Sequence, residues 1–393
     1  MSRPRAEERT GHDDPANAAP TGLPPAPSTG AVPDDLSDSP PDDPSDGPPG
    51  DAGPRRPRRH RVLLTIGVVL LVMVLLAVGF AWYVTDRYAG NITRIPGVFS
   101  GLDESTRPAP ATPAPGTTDV PLTFLLVGVD SEAEDPVPGA TAGAGDDATH
   151  SEVLMLVQLA ADRQSAVAVS IPEDSVVPVP GYDRTNISAA FATGGPTLLV
   201  QTVELLTDIR IDHYLSVDFA GFAEVTDALG GVDVRVAEAT QARNVSFTAG
   251  VNHLDGEEAL AYVRQRAGLP EGQLDSVRRH QNYLRAVMTQ VARDNLLTDP
   301  ARLDDFLLAV TNSLSVDDEM SNLDVVSLVL SLRNLDPSDV GFLTVPVATS
   351  ETGATVGVVD LDLERAARMW TYIQDGSLQE HINEFDELPA APR

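Results

Sequence analysis

Lysine is absent from all 393 residues, and so is cysteine. Without a lysine amine the chain cannot form a Schiff base or supply the phosphate-gripping lysine of a Walker loop. Without a thiol it has no cysteine nucleophile, no disulfide and no cysteine zinc ligand. Aromatic residues are scarce too, at 5 %. All 27 basic residues are therefore arginines, set against 58 acids, for a formal net charge of −31. A chain so acidic is a poor general binder of nucleic acid, because neutralising phosphates needs a basic surface. No helix-turn-helix pattern offsets that. Phosphate chemistry falls to arginine, backbone N–H groups or a metal.

Along the chain, residues 1–54 are rich in Pro, Asp, Gly and Ser. Such a tail buries too little apolar surface to offset its ordering entropy and is expected to be disordered. A basic flank at 55–61 carries Arg55, Arg56, Arg58, Arg59 and Arg61. The run Val62–Val84 follows without a charge and ends in Trp82 and Tyr83. At a rise of about 1.5 Å per residue it is long enough for a hydrocarbon core of about 30 Å. The flanking arginines assign the N-terminal side to the cytoplasm and the rest to the outside. The expectation is one transmembrane helix at 62–84, a cell-membrane location with an extracytoplasmic C-terminal part, and a stalk over 85–118 that ends in a Pro/Ala/Thr stretch.

The folded domain is expected over 119–375, with a tail at 376–393. Val120–Asp130 is a continuous apolar run that reads as a strand buried on both faces. Glu152–Leu159 and Ser165–Ile171 read as two more strands, then Thr197–Leu206 as helix, Asp212–Asp218 as extended and Phe219–Leu229 as helix. Gly230-Gly231 marks a turn at positive φ into a strand at Val232–Val236. Glu257–Arg266 reads as helical, and Asp275–Asn295 as a long amphipathic helix. Helices at 301–313 and 321–332 precede strands at Phe342–Pro346 and Thr355–Asp360 and a final helix from Leu363. Such alternation predicts an α/β layered domain with a central mixed sheet flanked by helices.

Ligands of layered α/β domains collect at the carboxyl ends of strands, where Asp130 and Asp174 fall, with Glu152 at the start of the second strand. The densest basic set outside the membrane flank is Arg264, Arg266, Arg278, Arg279 and Arg285. Carboxylates facing arginines suit Mg²⁺ plus pyrophosphate, since hard oxygens hold the cation and planar guanidinium groups clamp phosphate oxygens. The spacing of Arg264 and Arg266 shares one side of a strand but not of a helix, which predicts extended backbone there. The competing explanation is a solvated helix surface in ion pairs with the abundant acids. His213, Tyr214 and His280 are expected to be structural.

These residues resemble the LytR-CpsA-Psr family of bacterial cell-envelope proteins. The resemblance begins at Arg94-Ile95-Pro96-Gly97-Val98-Phe99 and runs through Phe124-Leu125-Leu126-Val127-Gly128-Val129-Asp130 and Ser170-Ile171-Pro172-Glu173-Asp174. It is strongest at Asp227-Ala228-Leu229-Gly230-Gly231-Val232 and at Leu254-Asp255-Gly256-Glu257-Glu258-Ala259-Leu260-Ala261-Tyr262-Val263-Arg264-Gln265-Arg266. It implies an apolar pocket for a polyprenyl-pyrophosphate lipid and Mg²⁺-assisted transfer of a polyprenyl-linked glycopolymer to peptidoglycan. Carried over by position, Asp130 and Glu152 would sit at the metal, and Arg264, Arg266 and Arg279 would hold pyrophosphate oxygens. The implied cavity opens beside Arg264 and Arg279.

Several positions depart from the family pattern. Glu132, His150, Glu173 and Ser276 stand where it has arginines, and Glu152 and Gln273 where it has aspartates. A hydrogen bond to a charged group contributes about 1.5–3 kcal/mol, so four lost contacts would forfeit on the order of 6–12 kcal/mol. Arg184 and Arg278 are the cations available to compensate, and His150 is a pH-dependent phosphate contact. Two classes of function follow: a glycopolymer phosphotransferase with a drifted site, or a catalytically weak homologue that binds polyprenyl phosphate lipid or envelope partners.

Overall fold

The apolar run that opens the domain is a strand, β2 (Leu122–Val129), because its side chains find apolar cover on both faces. Leu125, Val127 and Val129 enter one core and Phe124 another. This is a computed structural model, and it describes residues 85–113, 119–129, 151–293, 299–348 and 358–385, with Leu296 and scattered positions among 72–83. The chain divides after Leu64 into two units. The first lies outside the described residues, as do Asp130, Glu132, His150 and most of the expected membrane run. Among the described residues no helix is long and apolar enough to cross a membrane.

Seven strands form one mixed sheet in the order β1-β12-β7-β2-β3-β4-β13. Their ranges are β1 Thr93–Ile95, β3 Ser151–Leu159, β4 Ala166–Ser170, β7 His213–Asp218, β12 Leu314–Asp317 and β13 Val340–Thr344. Central β2 pairs parallel with β7 and antiparallel with β3. On one face pack α1 (Ile187–Thr207) and α7 (Leu363–Gln374), which bring Phe191, Leu199, Met369 and Trp370 into the core with Leu125 and Val127. The other face carries α2 (Phe219–Leu229), α4 (Gln273–Arg293), α5 (Pro300–Ser313) and α6 (Asn322–Ser331). Beyond them a small layer joins the ribbon β8 (Val232–Val236) with β11 (Gly250–Leu254), the ribbon β9 (Thr240–Ala242) with β10 (Val245–Phe247), and the helix α3 (Gly256–Val263). A short pair, β5 (Val176–Val177) and β6 (Thr185–Asn186), follows β4. Gly230 and Gly231 do take positive φ, 79° and 99°.

Four expectations need correction. The segment assigned to a stalk is built into the domain: β1 pairs with β12, and Ile95, Val98 and Phe99 are buried. The assigned C-terminal tail contains α8 (Leu378–His381), and Leu378, Ile382 and Phe385 are core residues. The helix expected over 197–206 is present, but a kink at Gly195 (φ 65°) separates it from a preceding helical segment beginning at Ile187 that was not expected. The helix expected to reach Arg266 stops at Val263, and Arg264 has αR backbone (φ −81°, ψ −5°), so no strand carries the arginine pair. The expected strand at Thr355–Asp360 lies mostly outside the described residues; its end makes only an isolated bridge, Val359 to Ser175.

Arg107 shows how firmly the supposed stalk is held. Its Nη2 donates to Glu204 Oε1 at 2.8 Å and to the Ile211 carbonyl at 2.7 Å, with side-chain exposures of 8 % for Arg107 and 4 % for Glu204. Arg107→Ala would strand a buried carboxylate and should cost about 3–5 kcal/mol, read as a lowered midpoint in chemical denaturation. An unchanged midpoint would show that 93–107 is not integral to the fold.

Candidate functional site

The turn after α3 presents two arginines. A capping box of Asp255 and Glu258 starts the helix, and the helix ends where Arg264 places its charge beside the last carbonyls, a favourable position for a cation. The Arg264 guanidinium lies 5.9 Å from the centroid of Phe219, the first residue of α2. Gln265 turns inward and donates to the carbonyls of Gln241 and Ala267. Arg266, half exposed, makes an ion pair with the nearly buried Glu173 at the end of the β4 segment. Glu173, which the resemblance placed at an arginine position, is the counter-ion of Arg266.

Across from this turn lies the sheet end expected to carry metal ligands. Val129 pairs with Asp218 on one side and Ser151 on the other. Gly128 pairs with Val153 but Val129 with Ser151, which leaves Glu152 as the extra residue of a β-bulge. Bulges next to functional sites re-aim a side chain. Of Glu152 only the backbone is described, and Asp130, one residue past Val129, lies outside the described residues with His150. Among the described residues no group of three or more His, Asp or Glu could hold a metal ion.

Between this sheet end and the helices is an apolar cavity of about 160 Å³, walled by Leu126, Val153 and Val217 of the sheet and Phe222, Val225, Tyr283 and Leu284 of α2 and α4. It falls below the roughly 300–1,000 Å³ typical of small-ligand pockets, so it holds only part of a long chain. Arg264 adjoins it through Phe219, whose ring meets Phe222 at 5.3 Å. Arg279 does not line it. His280 does, and also lines a narrow crevice with Glu173, Gln273 and Ser276. Three of the positions that depart from the family pattern therefore meet in one place. There Gln273 keeps a buried side-chain amide with no hydrogen-bond partner among the described residues.

His280 donates Nε2–H to the Val263 carbonyl at 2.9 Å, since a carbonyl can only accept. Burial, reinforced by the nearby charges of Arg266 and Arg279, pushes its pKa down to about 4. It is neutral at neutral pH, flanked by two guanidinium groups.

Arg278, Arg279 and Arg285 line a groove of about 520 Å³ between α4 and the β8–β11 ribbon. Arg279, buried, donates to Thr240 Oγ1 at 2.7 Å and lies 4.4 Å from the Tyr262 ring centroid; burial lowers its pKa. Arg278 is held by Glu271 (2.7 Å) and Asp275 (3.1 Å), the surface ion-pairing that composition alone suggested. Arg184, exposed, donates to the Val176 carbonyl at 2.9 Å. The expected arginine set is split: Arg264 and Arg266 stand at the sheet end, Arg278 and Arg279 in the groove. The sequence marked Gln273 only as a departure from the family's aspartate and His280 only as structural; that both line one crevice with Glu173 appears only in the fold.

The His280 ring gives a pH test. Unfolded, it titrates near 6.5; folded, near 4. The unfolded chain therefore binds more protons between these values, so this contribution to stability is complete above about pH 6.5 and is lost as pH falls toward 4. The loss is about 3 kcal/mol. His280→Gln should flatten that part of the stability profile in urea titrations at stepped pH; an unaltered slope would contradict the burial assigned to the ring.

Comparison with known proteins gives a consistent set of matches. A sequence model described as the LytR_cpsA_psr family matches residues 102–375. "Cell wall biosynthesis protein LcpA" of Corynebacterium glutamicum is 30 % identical over 346 residues, covering 77 % of this chain and 64 % of that protein. "Polyisoprenyl-teichoic acid--peptidoglycan teichoic acid transferase TagU" of Bacillus cereus is 34 % identical over 180 residues, 45 % of this chain and 55 % of that protein. The chain thus spans less than two thirds of the length of each of these two relatives. Among solved structures, TagV of B. subtilis aligns with a TM-score of 0.52 at 23 % identity, over 66 % of this chain and 98 % of that one. A "LytR-Csp2A-Psr enzyme" from Actinomyces oris aligns at 0.51 and 18 % identity, over 67 % and 95 %. The structural likenesses establish the α/β fold.

Proposed function

Because this chain belongs to the LytR_cpsA_psr family, we propose that it is a membrane-anchored envelope protein that transfers a polyprenyl-pyrophosphate-linked glycopolymer to peptidoglycan. The observation that carries this reading is the apolar cavity between sheet and helices, with Arg264 stacked over the Phe219 ring at its edge and Arg266 on the same turn. A greasy slot with guanidinium groups at one end suits a lipid whose head is a pyrophosphate. The tail's first isoprene units would occupy the slot, while Arg264 and Arg266 bind the head and stabilise charge as it develops on the departing polyprenyl phosphate. Arg279, which lines the groove and not the slot, would engage the glycopolymer where it runs along that groove.

Mg²⁺ fits the residue types at the sheet end. Asp130 and Glu152 follow or interrupt adjacent paired strands at the same edge, and the bulge gives the longer glutamate its own backbone position. Hard carboxylate oxygens are the ligands this ion takes. Bound there, it would act as a Lewis acid on the phosphate oxygens. The arginines Arg55–Arg61 and the run Val62–Val84 would hold the protein in the membrane, with the domain outside.

A second reading rests on the Arg266–Glu173 ion pair. A carboxylate already seated on Arg266 competes with phosphate and adds repulsion, as a lipid- or partner-binding homologue without turnover would show. One assay separates the two: full-length protein in membranes, a lipid-linked glycopolymer, peptidoglycan and Mg²⁺. A transferase should lose about 10- to 100-fold in rate on Arg266→Ala and lose activity on chelation. Turnover that survives both would overturn the mechanism. If the chain is a binding homologue, wild type should be silent, and combined Glu132→Arg, His150→Arg and Glu173→Arg should raise activity from that floor. A working enzyme should gain little from the same changes.

A further inference from the structure

Six of the ten residues of the helix α6 are apolar, yet none of its residues is fully buried. Val325 and Leu328 pack on the domain core beneath the sheet. The opposite side exposes Leu323 at 69 % and Leu330 at 57 %, with Val329 at 56 % beside them. Leu323 and Leu330 are two turns apart, so they lie on one face of the helix. Arg333, exposed in the turn just past the helix end, has no carboxylate partner among the described residues. The one acid of the helix, Asp324, is turned to the helix start, where it caps Ser321. A helix with apolar residues on two sides has a second surface to cover.

What covers it follows from where α6 sits. The expected membrane run ends at Val84, and the next residues form a single π-helical turn, Thr85–Ala89. That turn is clamped to α5 by Arg87, whose Nε and Nη2 reach the Asp304 carboxylate at 2.9 and 2.5 Å, and by the Tyr88 hydroxyl at 2.7 Å. It packs against α6. Arg94 of β1 also donates to Asn322, the first residue of α6, at 2.5 Å. Five residues of helix rise roughly 7 Å, and the headgroup layer on each side of a bilayer is roughly 5–8 Å deep. With the run Val62–Val84 in the bilayer, an element packed on this turn would lie at headgroup depth.

We propose that the outer face of α6, formed by Leu323, Val329 and Leu330 with Arg333 at its end, docks onto the bilayer from which the chain emerges. This rests on the membrane-anchored reading above. The leucines enter the boundary between headgroups and acyl chains, as interfacial helices do, and Arg333 meets lipid phosphate. Docking at this second point would fix the tilt of the domain, so that the apolar cavity between sheet and helices keeps one orientation toward the lipid layer.

The cysteine-free chain makes the test clean, because any introduced thiol is the only one. Full-length Leu330→Cys, Leu75→Cys and Leu363→Cys would each carry an environment-sensitive nitrobenzoxadiazole label, in vesicles of phosphatidylcholine and phosphatidylglycerol with and without doxyl-labelled lipid. Leu363 is an exposed leucine on α7, across the sheet from α6. The expected result is a blue-shifted label at 330 quenched at least twofold by doxyl lipid, with the label at 363 unquenched. Adding Leu323→Glu should abolish the quenching at 330. A label at 330 in water, or one shielded but not quenched (a second copy covering the helix), overturns the docking, as does equal quenching at 363. The label at 75 reports the anchor separately: unquenched there, the anchored reading fails whatever position 330 shows.

Discussion

The parallel pairing of β2 with β7 organises the molecule. It is flanked on the other side by antiparallel β3, so three strands end or begin at one edge of the sheet. A parallel pair needs a long crossover, and the connection from β2 to β7 contains β3, β4 and α1. Once β7 ends beside Val129, the chain turns directly into α2, and Phe219 is delivered to the position where Arg264 stacks. The bulge at Glu152 adds its backbone irregularity at the same edge. A cavity wall, a cation and an acidic strand end meet there because the register leaves them nowhere else to go.

Electrostatics at this edge differ from what a pyrophosphate site alone would require. A guanidinium half exposed to water and paired with a nearly buried carboxylate is stabilised in the empty protein, and a phosphate must displace or outbid that carboxylate. The neutral His280 and the unpartnered amide of Gln273 line the crevice behind it. Glu173, Gln273, Ser276 and His280 give this crevice polar side chains.

Much of the architecture was legible because periodicity reports burial directly. Phe219–Leu229 and Val232–Val236 occur with the bounds expected for them, and the turn glycines between them take the positive φ that their type suggested. Failures arose where a local signal was short or broken. β12 has four residues, including the buried polar residues Ser315 and Asp317. Asp317 is tolerated because it accepts from the backbone of Tyr214, Glu319 and Met320, and no window of sequence displays such partners. β1 was missed for the same reason, as its three residues become a strand only through β12. In the site, the arginines were visible as charges, but their division between the sheet end and the groove was not. Arg278 and Arg279 are adjacent in sequence, yet one is held by surface carboxylates while the other is buried against Tyr262.

The amino-acid order by itself determined the absence of thiol and lysine chemistry, the acidic balance, the apolar run with its arginine flank, the alternation of strands and helices, and the family. All of these are properties of residue type or of spacing within one segment. Tertiary structure alone decided that Glu173 meets Arg266, that Gln273, Ser276 and His280 share a crevice with it, and that α6 presents leucines beside the turn following the membrane run. These are contacts between segments about a hundred or more residues apart, or faces left over after packing. Their energies depend on which surfaces the fold removes from water, which no single stretch of sequence specifies.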